Sequence, residues 1–287
     1  MLQEQSHGGQ MSVHDGDTAS SLGLGGAPIE GPTHFSQVDP LAVQLWGQAW
    51  FERGCVSSHF RTMVVEGEEV QASLTTTGES TAAVEAHKGD GTSVLEGSVS
   101  LGPDHPETAL EGRRAGRGDP GELFILDRLE VGMTSEPFVA SISSAGSNGD
   151  LYPFSLAEKL VKITEPCPWY TPEGGVTNPW GRAIVPFEMV SVLTNKSGGT
   201  FPVRGPALGL FLDLEVRMVA GPVLVDQDYQ LQHTVIGLGQ SRRTESFWTE
   251  TTVSDPKTEY LVALVVLHHG VFKESYAGYP TDRLAAT

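Results

Sequence analysis

Three short stretches of this chain bring together side chains that can move a proton. THFSQVDP, residues 33–40, sets His34 and Asp39 five positions apart, an imidazole and a carboxyl of the types that act as base and acid near neutral pH. EPCPWY, residues 165–170, sets Glu165 and Tyr170 five positions apart around two prolines, with Cys167 between them. PFEM, residues 186–189, carries Glu188 near the start of an apolar run. Each stretch also has a plainer reading. Asp39 ahead of Pro40 is a helix cap, EPCPWY is a rigid corner, and Glu188 is an exposed helix residue near a positive dipole end. His59 falls in a strand, where a single histidine is usually a satisfied core or surface residue. His268 and His269 are adjacent, so in a strand they point to opposite faces and cannot chelate one metal ion. No metal site is expected. The glycines at 23–26 lack the strand and helix of a dinucleotide site, and there is neither a phosphate-loop lysine nor a G-x-S-x-G nucleophile turn.

The elements that must hold these residues follow from periodicity and punctuation. Residues 1–30 are rich in Gly, Ser, Asp and Gln and read as a disordered tail. From Asp39 a helix is expected, with Pro40 at its first position and Gly54 after its end; Ala42, Leu45, Trp46, Ala49 and Trp50 form one apolar stripe. Strand-length segments follow at CVSSHFRTMVV, VQASLTTTG, STAAVEAHKGDG and TSVLEGSVSLG. Residues 102–122, dense in Gly, Pro and charge, read as a linker. Then the order returns: a short helix with Pro186 at its first position and Phe187, Val190 and Leu193 on one side, followed by four long strands from ALGLFLDLEVRMV to EYLVALVVLHHGVF. The expected division is an N-terminal unit over 31–101 and a C-terminal unit over 123–287.

This order of elements, together with EPCPWY and the segment PWGRAIVPFEM, resembles the MaoC-like or (R)-specific enoyl-CoA hydratase family over residues 31–276. The resemblance implies an α+β double hotdog, two antiparallel sheets each wrapped around a central helix. That family carries its catalytic residues in a D-x-N-P-x-H loop ahead of the central helix. Set on that pattern, Glu165 stands at the Asp, Cys167 at the Asn, Pro168 at the Pro and Tyr170 at the His. The implied activity is hydration or dehydration of a 2-enoyl or 3-hydroxyacyl thioester, on coenzyme A or a carrier protein, with no cofactor. Glu165 would position the water and Tyr170 would donate to or orient it, while Pro168, Trp169 and Gly181 contact substrate. A phenol is a weak base at neutral pH, so a binding protein for a lipid or polyketide-like ligand is the alternative that the tyrosine favours. Thioester hydrolysis using Glu188 or Asp39 is another, since hotdog thioesterases place a catalytic carboxylate where Glu188 falls.

Charge bounds the partners. With 18 Lys+Arg against 36 Asp+Glu the net charge is -18, which repels nucleic acid and anionic membranes. A coenzyme A ligand would need a local basic patch, for which Arg113, Arg114 and Arg117, or Arg242 and Arg243, are the candidates. Two cysteines and no long apolar run fit a cytoplasmic protein. A homodimer is compatible with the implied fold.

Overall fold

The computed structural model describes residues 14, 26, 28–149, 151–163, 165, 167–196 and 200–285. Most of the tail expected over 1–30 lies outside these described residues. Its last residues are docked: Ile29 N donates to Val64 O at 2.7 Å, and Pro28 bridges to Val65.

A 3-10 turn over Gly31–His34 runs straight into helix α1, Phe35–Trp46, so the helix starts four residues before Asp39. Asp39 is therefore not its cap but sits inside it, buried, and Pro40 is also interior. The helix stops at Gly47, whose φ of 59° lies in the left-handed region. A second short helix, α2 (Ala49–Arg53), ends against Gly54. This break turns the expected stripe: Phe35, Val38, Ala42 and Trp50 are buried, whereas Leu45 is 41% exposed. Four strands follow, β1 (Gly54–Phe60), β2 (Val70–Gly78), β3 (Thr81–Lys88) and β4 (Ser93–Leu101), close to where the strand-length segments were expected.

The stretch read as a linker holds a helix, α3 (Ala109–Ala115), started by a reciprocal cap in which Thr108 Oγ1 accepts from Glu111 N and the Glu111 carboxylate accepts from Thr108 N. A three-residue strand, β5 (Phe138–Ala140), and helix α4 (Leu156–Leu160), capped the same way by Ser155 and Glu158, come next. EPCPWY contributes a 3-10 turn over Pro168–Tyr170 that leads into α5 (Pro172–Gly175). Helix α6 (Phe187–Thr194) follows, with Pro186 as its cap residue and all eight residues buried. The four remaining strands are β6 (Gly209–Met218), β7 (Tyr229–Gln240), β8 (Thr244–Ser254) and β9 (Leu261–Phe272), and α7 (Thr281–Ala285) is the last described helix.

The nine described strands lie in one antiparallel sheet, in the order β2-β3-β4-β1-β6-β9-β8-β7-β5. The expectation of two separate sheets is corrected here: β1 and β6, each the edge of its own half, hydrogen-bond to one another from Cys55↔Arg217 to His59↔Asp213. Two exposed ladders of N–H and C=O groups are thereby satisfied at once. Because side chains alternate along a strand, the join splits into two unlike faces. Val56, Leu214, Val216, Val265 and Leu267 point to the face covered by α1 and α6, where Trp50 stacks on Phe187 at 4.6 Å. Ser57, His59, Asp213, Glu215 and His268 point the other way, under α3.

Candidate functional site

The N-terminal turn of α6 meets α1 beneath the sheet, and this junction holds the buried carboxyls of the chain's proton-carrying stretches. Glu188, on the first turn of α6, is only 2% exposed, so its expected place on the surface is corrected. Its Oε2 accepts from Ser36 Oγ at 2.7 Å. Its Oε1 has no hydrogen-bond partner among the described residues and lies 3.7 Å from Lys159 Nζ. Burial pushes the Glu188 carboxyl up to about 7, a rise that Lys159 and Ser36 only partly offset. Lys159 reaches in from α4, donating to Thr33 Oγ1 at 3.0 Å and Glu30 Oε2 at 3.2 Å. Burial opposes its charge, but the Glu188 and Glu30 carboxylates outweigh burial and hold the ammonium above its ordinary value.

Two cavities flank this cluster. The larger, about 590 Å³, is walled by Glu188, Lys159, Glu30 and His34 on one side and by apolar and aromatic groups that include Phe60, Tyr152, Met189, Leu210, Phe211 and Phe247. The smaller, about 480 Å³, has Ser36, Gln37, Lys159, Lys162, Glu68 and Glu165 in its wall. Glu30, Thr33, His34 and Lys159 line both. Since Glu188 faces the first and its partner Ser36 the second, their hydrogen bond lies in the partition.

The other sequence candidates fall around this site in distinct places. His34 is buried in the partition, its Nδ1 paired with Gln37 Oε1 at 3.0 Å; burial lowers its pKa, against the pull of Gln37 and Glu165. Glu165 lines the smaller cavity. Tyr170 is fully buried and its hydroxyl donates to Asp39 Oδ2 at 2.6 Å. Asp39 also accepts from Trp50 Nε1 at 2.9 Å and Phe187 N at 3.4 Å. Burial raises the Asp39 carboxyl to about 6, with those three donors drawing it back. Asp39 and Tyr170 line neither cavity, and together they tie α1, α2, the EPCPWY turn and the start of α6 at one point. Pro168, Trp169 and Gly181 also lie outside both walls: Trp169 packs edge-on against Phe51 and Trp180, and Gly181 takes a φ of 67° in the turn before α6.

Of the basic residues put forward for an anionic ligand, Arg113 pairs with Asp213 at 2.8 Å and Arg114 donates to Ile236 O, both on the α3 face. Arg117 lies over the Trp248 ring and Arg243 over Phe272. The arginines that do line the larger cavity are Arg61 and Arg204, which pair with Glu96 and Asp127. His59 and His268 both meet Asp213, at 2.9 and 2.5 Å, on the α3 face, while His269 lines the larger cavity across the sheet.

Sequence reasoning missed Glu30, Thr33, Ser36 and Lys159. The Ser155–Glu158 capping pair was the readable signal for α4; nothing local announces that Lys159 turns inward.

No family model matches the chain, and no curated protein matches it. Solved structures do resemble it. A MaoC domain protein from Chloroflexus aurantiacus J-10-fl superposes with a TM-score of 0.51 at 16% identity, covering 88% of this chain and 84% of its own. A MaoC-like dehydratase gives 0.50 at 12%, covering 88% and 87%. A conserved Mycobacterium tuberculosis protein described as having a double hotdog fold gives 0.52 at 11%, covering 90% and 86%. Likeness at such identities is likeness of fold, and with one helix set under each half of a shared antiparallel sheet, this chain is a double hotdog protein.

Proposed function

We propose that the chain is a MaoC-like hydratase or dehydratase that binds an acyl thioester, with the acyl group in the larger cavity and Glu188 as the proton-transfer group. The observation that carries this reading is a buried carboxyl raised to about 7 in a residue that walls a mainly apolar cavity, held by Ser36 Oγ at 2.7 Å and flanked by Lys159 Nζ at 3.7 Å. A group that is half protonated near neutral pH can both take and return a proton. In the hydration direction, the Glu188 carboxylate takes a proton from a water as the water oxygen bonds to C3 of the enoyl thioester. The same proton is returned to C2, so one water adds across the double bond. Ser36 holds the other oxygen in place, and the Lys159 ammonium offsets charge that builds toward the thioester carbonyl.

In this reading Tyr170 and Asp39 brace the site rather than react, and Glu165 lines the smaller cavity. The test is loss of the enoyl-thioester absorbance on a panel of 2-enoyl thioesters, with the 3-hydroxyacyl product identified by mass. Glu188→Gln is expected to lower turnover ~10²-fold to ~10⁴-fold, the usual worth of general acid-base catalysis. Turnover retained in that variant refutes the assignment. Release of free thiol moves it to hydrolysis, and tight binding without turnover moves it to a ligand carrier.

A further inference from the structure

Three rings carried by the sheet meet in the wall of the larger cavity, and one of them is an imidazole. His269, on β9, is stacked on Phe247 with ring centroids 4.5 Å apart and planes 10° from parallel. Phe211 meets it edge-on at 5.9 Å and 88°. Both phenylalanines line the same cavity. The imidazole is anchored through Nε2, which lies 3.2 Å from Thr249 Oγ1. Its other nitrogen, Nδ1, has no hydrogen-bond partner among the described residues, yet it is not among the atoms sealed in the core without one. In a residue that walls the cavity, that leaves Nδ1 open toward the cavity space.

We propose that His269 is a specificity-determining residue that hydrogen-bonds an oxygen carried on the acyl tail, so that the preferred substrate is an oxygenated chain, hydroxylated or keto-substituted beyond the thioester end, and not a plain hydrocarbon chain. This deepens the functional reading above and rests on it for the word substrate. The physical reason is desolvation. A plain chain laid against Nδ1 displaces water and leaves the nitrogen buried and unpaired, which costs ~1–3 kcal/mol. A chain oxygen at that point restores the bond. The ring is neutral throughout the pH range of interest, since burial, aided by His268 and His233, drives it down to about 3. The Thr249 hydroxyl either donates or accepts, so Nδ1 can meet a ketone as an N–H or a hydroxyl as a lone pair. The flanking rings fix the imidazole plane and with it the direction of that bond.

The test measures binding of ten-carbon acyl N-acetylcysteamine thioesters by calorimetry. One is unsubstituted, and the others bear a hydroxyl or ketone at successive carbons from 5 to 9. One substituted position is expected to bind about tenfold tighter or more than the plain chain. His269→Phe, which keeps the stacked ring, is expected to erase that preference while binding the plain chain as well as or better than the unsubstituted protein does. Equal binding by all members, a preference that survives His269→Phe, or no binding by any member overturns the proposal. Because the readout is binding, the preference without any hydration activity would sink the hydratase reading and leave this one standing. Hydration of plain enoyl chains with no preference would do the reverse.

Discussion

Replacing Glu188 by glutamine should change the pH dependence of folding stability in a way that the same change at a surface glutamate would not. The folded carboxyl sits at about 7 against an ordinary 4.5, because it is buried. A folded group that holds its proton more tightly than the unfolded one stabilises the fold below the unfolded value. That stabilisation is lost as pH rises through the folded value. The interval of about two and a half units, at ~1.4 kcal/mol each, is worth about 3.5 kcal/mol, most of it lost between pH 5 and pH 8. The glutamine amide stays neutral and carries no such slope. The attraction of Lys159 is already contained in the value of about 7 and is not counted again, and the similar slope from Asp39 is present in both proteins and cancels in the difference. Urea titrations at pH 5, 6, 7 and 8 should therefore show the variant gaining ~2–3 kcal/mol relative to the parent across the range, whatever the offset at pH 5. Parallel stability curves would refute the burial argument, and with it the reason for giving Glu188 a proton-transfer role.

Three further outcomes follow from the same geometry. Tyr170→Phe removes a donor from buried Asp39 and should cost ~1–3 kcal/mol in a urea titration at pH 7 while leaving turnover per folded molecule unchanged; loss of turnover would make Tyr170 a reacting group. Lys159→Met removes the positive charge beside Glu188, so the pH at which turnover is half-maximal should move upward by the ~1–3 units that a close opposite charge contributes; an unmoved profile would deny the coupling. Thr108→Ala takes away both the α3 cap and the 2.6 Å hydrogen bond to buried Glu215, and should cost ~2–4 kcal/mol by calorimetric or denaturant unfolding. A change under ~1 kcal/mol would show that α3 is not held by its cap.

The order of elements was legible in local pattern. Runs of strand length between glycine and charged turns marked β1 to β4 and the long strands β6 to β9, with polar–apolar alternation in β8, and the apolar run after Pro186 marked α6. Residue type also brought forward His34 and Asp39, because proton-carrying side chains near a helix start are visible as such, while Glu188 came forward through the resemblance to hotdog enzymes. Where those side chains sit was decided by packing. Asp39 reads locally as a cap, and became an interior hub only because the preceding 3-10 turn extends α1 backward and Tyr170 and Trp50 arrive from elsewhere in the chain. The fusion of two expected sheets depends on β1 meeting β6, with Ser58 and Leu214 separated by 156 positions, a pairing that no local pattern encodes. Ser36 lies 152 positions from Glu188, and Lys159 comes from a different helix again, so the site they form exists only once the helices pack beneath the sheet. Residue type is local and burial is not, and the chemistry of this site is set by burial.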